Sequence, residues 1–144
     1  MGRGTLTAFR DSDHEIRTVT NREQDNLDPV VADVTNYKST VQVLQGCNVV
    51  IHLAGNHDPD ADWESVCHVN IDGTQTIYEA AVENDLDRIV FASTNHITHM
   101  HHVPAGGTLD DLESETDAIR IGNPDRPDSF YAVSKITGEA LGVY

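Results

Sequence analysis

Lysine is nearly absent from this 144-residue chain. Only Lys38 and Lys135 occur, and all basic residues together number 9 against 24 Asp and Glu, a formal net charge of -15. Such a balance excludes a basic patch of the kind that nucleic acid or an anionic membrane surface demands. A folded acidic surface this poor in lysine points to a high-salt setting, where screening relieves self-repulsion. Cysteine is scarce as well. Cys47 and Cys67 fall in segments read as a helix end and a helix interior, so two reduced thiols are expected rather than a disulfide framework. The sequence as it stands opens without a charged-then-apolar leader, and no apolar run is long enough to cross a bilayer. The expectation is a cytoplasmic protein of one small domain spanning residues 1–144.

What is present alternates. Residues 4–11 read as a helix, with a strand as the alternative. Glu15-Ile-Arg-Thr-Val-Thr20 alternates and is rich in β-formers, so a strand is predicted. Residues 21–27 are polar loop, and Val30-Val-Ala32 is a short strand ending at Asp33. Tyr37 to Gln45 has helical spacing and is closed by Gly46. Val49-Val-Ile-His-Leu-Ala54 is a continuous apolar run of the kind found in buried parallel strands. Trp63 to Asn84 is the longest predicted helix, with Val66, Asn70, Gly73, Ile77 and Ala80 on one face. A glycine in mid-helix costs about 1 kcal/mol against alanine, which makes Gly73 a candidate for close packing. Arg88-Ile-Val-Phe-Ala92 is the next buried strand. Residues 97–128 read as long, polar and irregular. Strands alternating with helices imply βαβ units around a parallel sheet.

The chemistry concentrates near the end. Pro127 and Ser129 are turn and cap signals, and Ala132 to Leu141 reads as a helix. Tyr131 and Lys135 stand four apart, hence one above the other on a helical face. An ammonium beside a phenol favours the phenolate, and such a Tyr can accept a proton from a substrate hydroxyl. An exposed pair on an ordinary helix would show the same spacing. His96, His99, His101 and His102 raise the question of a metal. No Asp, Glu or Cys stands near them at a recognisable ligand spacing, so no metal site is expected.

Taken together, Ala32-Asp33-Val34, His52-Leu-Ala-Gly55, Val69-Asn-Ile-Asp-Gly-Thr74, Val90-Phe-Ala-Ser-Thr94 and Tyr131-Ala-Val-Ser-Lys135 resemble the extended short-chain dehydrogenase/reductases, the NAD-dependent epimerase/dehydratase family. Ser-Thr-Asn-His followed by Arg-Pro-x-Ser-x-Tyr looks most like the branch of uronate dehydrogenases and an archaeal NAD-dependent glucose-6-phosphate dehydrogenase. The resemblance implies a Rossmann-like three-layer α/β sandwich with a parallel sheet. It implies Tyr131, Lys135 and Thr94 as the catalytic set, and Asp33, Val34, Leu53, Ala54, Gly55, Asn70 and Ser93 beside the cofactor, with Tyr131 and Lys135 touching it too. It also implies Asn95 and His96 against the substrate. The cofactor would be NAD; Asn21 beside Arg22, where the family's NAD-binding members carry an acid, leaves NADP open. Asp33 can equally be a helix cap, and Asn70 a satisfied core amide.

Two pieces of the family pattern are not recognisable. No strand precedes Gly2-Arg-Gly4, the only trace of a glycine-rich pyrophosphate turn. Nothing matches the family's later sheet and substrate region. The expected fold is therefore incomplete, with its first strand and C-terminal part missing, and the 144 residues alone should turn over little substrate. The implied activity is that of an NAD(P)-dependent oxidoreductase on a sugar, sugar phosphate or sugar acid. The alternatives are a nucleotide-sugar epimerase/dehydratase with the same residues, or a non-catalytic remnant that binds dinucleotide weakly. The partner is a small sugar-type molecule, with a homodimer left open. The charge of -15 gives one prediction on its own. The melting temperature should rise from low to molar KCl, and a flat or falling dependence would refute the salt reading.

Overall fold

The computed structural model describes residues 2–24, 28–58, 60–111 and 118–144. The chain forms two compact units, each built from two stretches of sequence: residues 1–54 with 73–92, and residues 55–72 with 93–144.

The first unit contains every strand among the described residues. β1 (Val19–Thr20) pairs with β2 (Val30–Val31), and β3 (Val49–His52) pairs with β4 (Arg88–Phe91), both in parallel. The two pairs are separate two-stranded sheets. Parallel pairing was expected, as was the loss of a neighbour between the strands at 15–20 and 30–32 and the strand at 49–54. The strands are shorter than the residue pattern suggested. Pairing between β1 and β2 runs only from Thr18 to Ala32, where the Val30 and Ala32 amides donate to the Thr18 and Thr20 carbonyls at 2.9 and 2.8 Å. Arg17, one residue earlier, instead donates from its guanidinium to the Val43 and Gln45 carbonyls at 2.7 and 2.8 Å. It thereby satisfies carbonyls that the end of a helix leaves open. The strands are also less buried than a continuous apolar run implies. Val30, Val31, Val49 and Val90 are all more than 40% exposed, in strands that each pair on one side only among the described residues.

α1 (Gly2–Ala8) buries none of its residues. α2 (Tyr37–Leu44) begins at Asn36, whose side chain accepts from the Ser39 amide, and is followed by Gly46 at φ 73. α4 (Gly73–Glu83) buries Gly73, Thr74, Ile77, Ala80 and Ala81, the stripe expected of a helix lying on a core. It packs against α2, where the Asn84 amide donates to the Val41 and Ala80 carbonyls and the Tyr37 hydroxyl donates to Glu83. The buried His52 of β3 shares a 3.0 Å hydrogen bond with Thr74.

In the second unit, α3 (Trp63–Val66) is followed by a π-helical segment, Cys67–Asp72. The helical reading of 63–84 thus holds through Glu83, but the Cys67–Asp72 segment is wider than α. A 3-10 helix spans Asn95–His102, with a short one at Leu109–Asp111, and α5 covers Phe130–Leu141. The stretch read as irregular, residues 97–128, therefore opens with six residues of regular, tightly wound backbone. Residues 112–117 of that stretch lie outside the described residues. Both cysteines are free thiols. No helix is long and apolar enough to cross a membrane among the described residues.

Gly73 carries a measurable consequence. A Cβ there would sit 2.8 Å from the Val34 Cγ2, and a branched side chain that stiff has little room to yield. Gly73→Ala gains about 1 kcal/mol of helix propensity against roughly 1–3 kcal/mol of overpacking. The variant should lose up to about 2 kcal/mol in urea unfolding. In a Val34→Ala background the same change should become stabilising. Additive effects of the two substitutions would contradict the contact.

Candidate active site

Four segments of the second unit build the site: the loop from Gly55, the π-helical turn, the 3-10 helix with its entry, and the start of α5. Asp62 starts the helical run, its carboxylate accepting from the Ser65 amide at 2.7 Å. In a π-turn the backbone bond runs from i to i+5. Within it Asn70 is 3% exposed, and its side chain uses both ends. Its oxygen accepts from the Asn56 amide at 2.6 Å, and its nitrogen donates to the Asn56 carbonyl at 2.9 Å and to Ser134 Oγ at 3.0 Å. Ser134 in turn donates to the Tyr131 carbonyl at 2.7 Å. One amide thus ties the loop after Gly55 to the turn of α5 that carries Tyr131. Gly55 sits close under this network, where a Cβ would lie 3.3 Å from Asn70 Oδ1 and 3.7 Å from Lys135 Nζ.

α5 begins where expected. Ser129 Oγ accepts from the Ala132 amide at 3.2 Å, and Ala132, Ser134, Lys135 and Gly138 form its buried face. Lys135 is only 4% exposed, and its ammonium lies 5.7 Å from the Tyr131 ring centroid. Burial holds its pKa below the ordinary lysine value, because desolvation disfavours the charged form. Tyr131 is half-buried and meets the His96 ring edge-on at 6.4 Å. Thr94 caps the 3-10 helix, accepting from the His96 amide at 3.3 Å. Thr94 is thus two residues from the imidazole that packs on Tyr131. Ser93 Oγ is buried with no hydrogen-bond partner among the described residues. Asn95 is exposed.

Asp128 was not a candidate, yet its carboxylate is held by three side chains. Its side chain is 4% exposed, with Oδ2 2.6 Å from Nδ1 of both His96 and His99. Oδ1 accepts from Ser129 Oγ at 2.8 Å. Burial by itself would raise this carboxyl. The hydrogen bonds from His96, His99 and Ser129 outweigh that and hold it below its ordinary value. The partner that no local spacing revealed is thus 32 and 29 residues along the chain. The remaining candidates lie in the first unit. Asp33 Oδ1 accepts from the Thr35 amide and hydroxyl, both at 2.9 Å, as a turn-capping Asp does. Val34 faces Gly73, as described. Leu53 is half-buried and Ala54 exposed just past β3.

The whole of residues 1–144 matches the model of the NAD dependent epimerase/dehydratase family. The chain belongs to that family. It is 44% identical over 144 residues to an L-arabinose 1-dehydrogenase (NAD(P)(+)) of Haloferax volcanii, covering 100% of this chain and 56% of that one. It is 39% identical over 125 residues to an NAD-dependent glucose-6-phosphate dehydrogenase of the same organism, covering 83% and 46%. Among solved structures, a mutant uronate dehydrogenase from Agrobacterium tumefaciens complexed with NAD superposes with a TM-score of 0.79 at 28% identity, covering 97% of this chain and 49% of that one. The chain thus spans about half the length of the relatives it matches. The fold is Rossmann-like, as the family's dehydrogenases are.

The buried amide of Asn70 yields a prediction. Asn70→Ala leaves the Asn56 amide and carbonyl and Ser134 Oγ short of partners in a buried setting, at an expected cost of about 2–4 kcal/mol. Urea unfolding should show that loss, and hydrogen exchange at the Asn56 amide should quicken. An unchanged Asn56 exchange rate would mean that the loop is held by something else.

Proposed function

We propose that the chain forms the catalytic part of an NAD(P)-dependent dehydrogenase acting on a sugar-type hydroxyl. The observation that carries the reading is the group Lys135, Tyr131 and His96. A buried ammonium lies 5.7 Å from the ring of a half-buried phenol, and an imidazole meets the same ring edge-on at 6.4 Å. Burying an amine is costly, and here the charge is held close to a phenol that can take a proton. In this reading Tyr131 accepts the proton of the substrate hydroxyl, Lys135 supports the charge that develops on it, and Thr94 orients the reacting oxygen.

The cofactor's residues fit the same assignment. NAD, when bound, supplies the hydride acceptor. Ser93, whose buried oxygen has no partner among the described residues, would meet the nicotinamide side. Gly55, kept bare of a side chain next to Asn70 and Lys135, would let the backbone come close to it. Asp33 and Val34 are assigned to the adenine, and Leu53 and Ala54 to the passage past β3. Asn95 and His96 are assigned to the substrate. The two halophile relatives act, by name, on a pentose and on a sugar phosphate, which supports a carbohydrate substrate.

The test pairs binding with turnover. The chain should bind NAD, and Lys135→Met should weaken that binding. NADH formation with L-arabinose, glucose 6-phosphate or a uronate should be slow, because positioning of both reactants accounts for roughly 7–11 kcal/mol of a barrier and no glycine-rich cradle is recognisable. Tyr131→Phe should lower whatever rate is seen by about 10²–10⁴. Turnover indifferent to Tyr131 would overturn the assignment.

A further inference from the structure

A 3-10 helix has 3.0 residues per turn, so residues three apart eclipse one another. Along Asn95–His102 this stacks His96, His99 and His102 on one side, with ring centroids 5.2 Å apart for the first pair and 6.3 Å for the second. The first two rings converge on a single oxygen. Both Nδ1 atoms lie 2.6 Å from Asp128 Oδ2. Atoms sharing one zinc at roughly 2.0–2.2 Å in tetrahedral geometry would stand roughly 3.3 Å apart. The separation is that of charge-assisted hydrogen bonds. A carboxylate ionised at neutral pH has no proton to give, so both protons belong to the rings.

We infer that Asp128 is a positioning residue that fixes His96 and His99 in the Nδ1–H form, leaving the His96 Nε2 as a bare acceptor for a substrate hydroxyl beside Tyr131. The inference rests on the proposed function for its ligand, and on the hydrogen bonds alone for the tautomers. A neutral lone pair at that place accepts from an alcohol and gives no hold to a carboxylate or phosphate. It therefore assigns the uncharged, hydroxyl-bearing part of a sugar to His96. His101 supplies an internal contrast. Its Nε2 lies 2.8 Å from the Pro124 carbonyl, an acceptor, so that ring must carry its proton on Nε2.

Long-range nitrogen–proton NMR of the intact chain at neutral pH reads these forms without any turnover. His96 and His99 should show Nδ1–H, and His101 should show Nε2–H. In Asp128→Ala, His96 and His99 should revert to the Nε2–H form that free histidine prefers. Asp128→Asn, which keeps an acceptor oxygen in the same shape, should restore Nδ1–H. With NAD present, L-arabinose binding should weaken about tenfold in Asp128→Ala, the equivalent of one hydrogen bond, while NAD binding stays as it was. An Nε2–H or doubly protonated His96 in the unaltered chain would overturn the inference, as would unchanged sugar binding in Asp128→Ala. If the unaltered chain shows the stated tautomers but binds no sugar, the proposed function fails and the role of Asp128 toward the rings stands.

Discussion

A single buried carboxamide holds the second unit together. Asn70 satisfies an amide and a carbonyl on Asn56 and a hydroxyl on Ser134, and Ser134 passes the connection to the backbone of Tyr131. Each such bond nets only about 1 kcal/mol, but an orphaned buried partner costs more than the bond is worth. That asymmetry makes the network directional. It does little to drive collapse and much to forbid any arrangement in which the loop after Gly55 and the first turn of α5 are out of step. Tyr131 and Lys135 inherit their placement from this constraint, since both are carried on the helix turn that Ser134 anchors.

Around that anchor the unit buries two charges. Lys135 is nearly inaccessible, and its lowered pKa reflects desolvation. The sign matters. A lysine whose folded pKa lies below its unfolded value subtracts stability where both states would be protonated, and the loss is relieved as pH rises through the folded pKa. Asp128 acts in the opposite sense. Its folded pKa is held low, so it contributes stability above its unfolded value, and that contribution fades as pH falls through the folded one. The unit thus sets a cost at the ammonium against a gain at the carboxylate. At the carboxylate, the hydrogen bonds from His96, His99 and Ser129 account for the gain.

Much of this was legible in the residues. The four-residue spacing of Tyr131 and Lys135, the Ser129 cap and the close-packed Gly73 are local features, governed by helix geometry that any few residues reveal. The parallel pairing follows from alternation. What escaped depends on contacts distant in sequence or on backbone choices with weak residue preferences. Nothing in Cys67–Asp72 distinguishes a π-turn from an α-turn by composition. The 3-10 winding of Asn95–His102 was hidden in a polar stretch with no apolar stripe. Asp128 reads as one acid among 24 until the fold brings it under two imidazoles. The strands misled for another reason. An apolar run signals burial only when neighbours cover both its edges and faces, and among the described residues each strand has one partner.

The scarcity of lysine has a practical side. Lys38 is exposed and Lys135 is buried, so a water-soluble amine reagent finds one reactive side chain at the surface and one shielded from it. Labelling at Lys135, read by peptide mapping, therefore reports how often the second unit opens. Any ligand that settles against Lys135 would register as slower modification at a single known atom, with no neighbouring lysine to blur the reading.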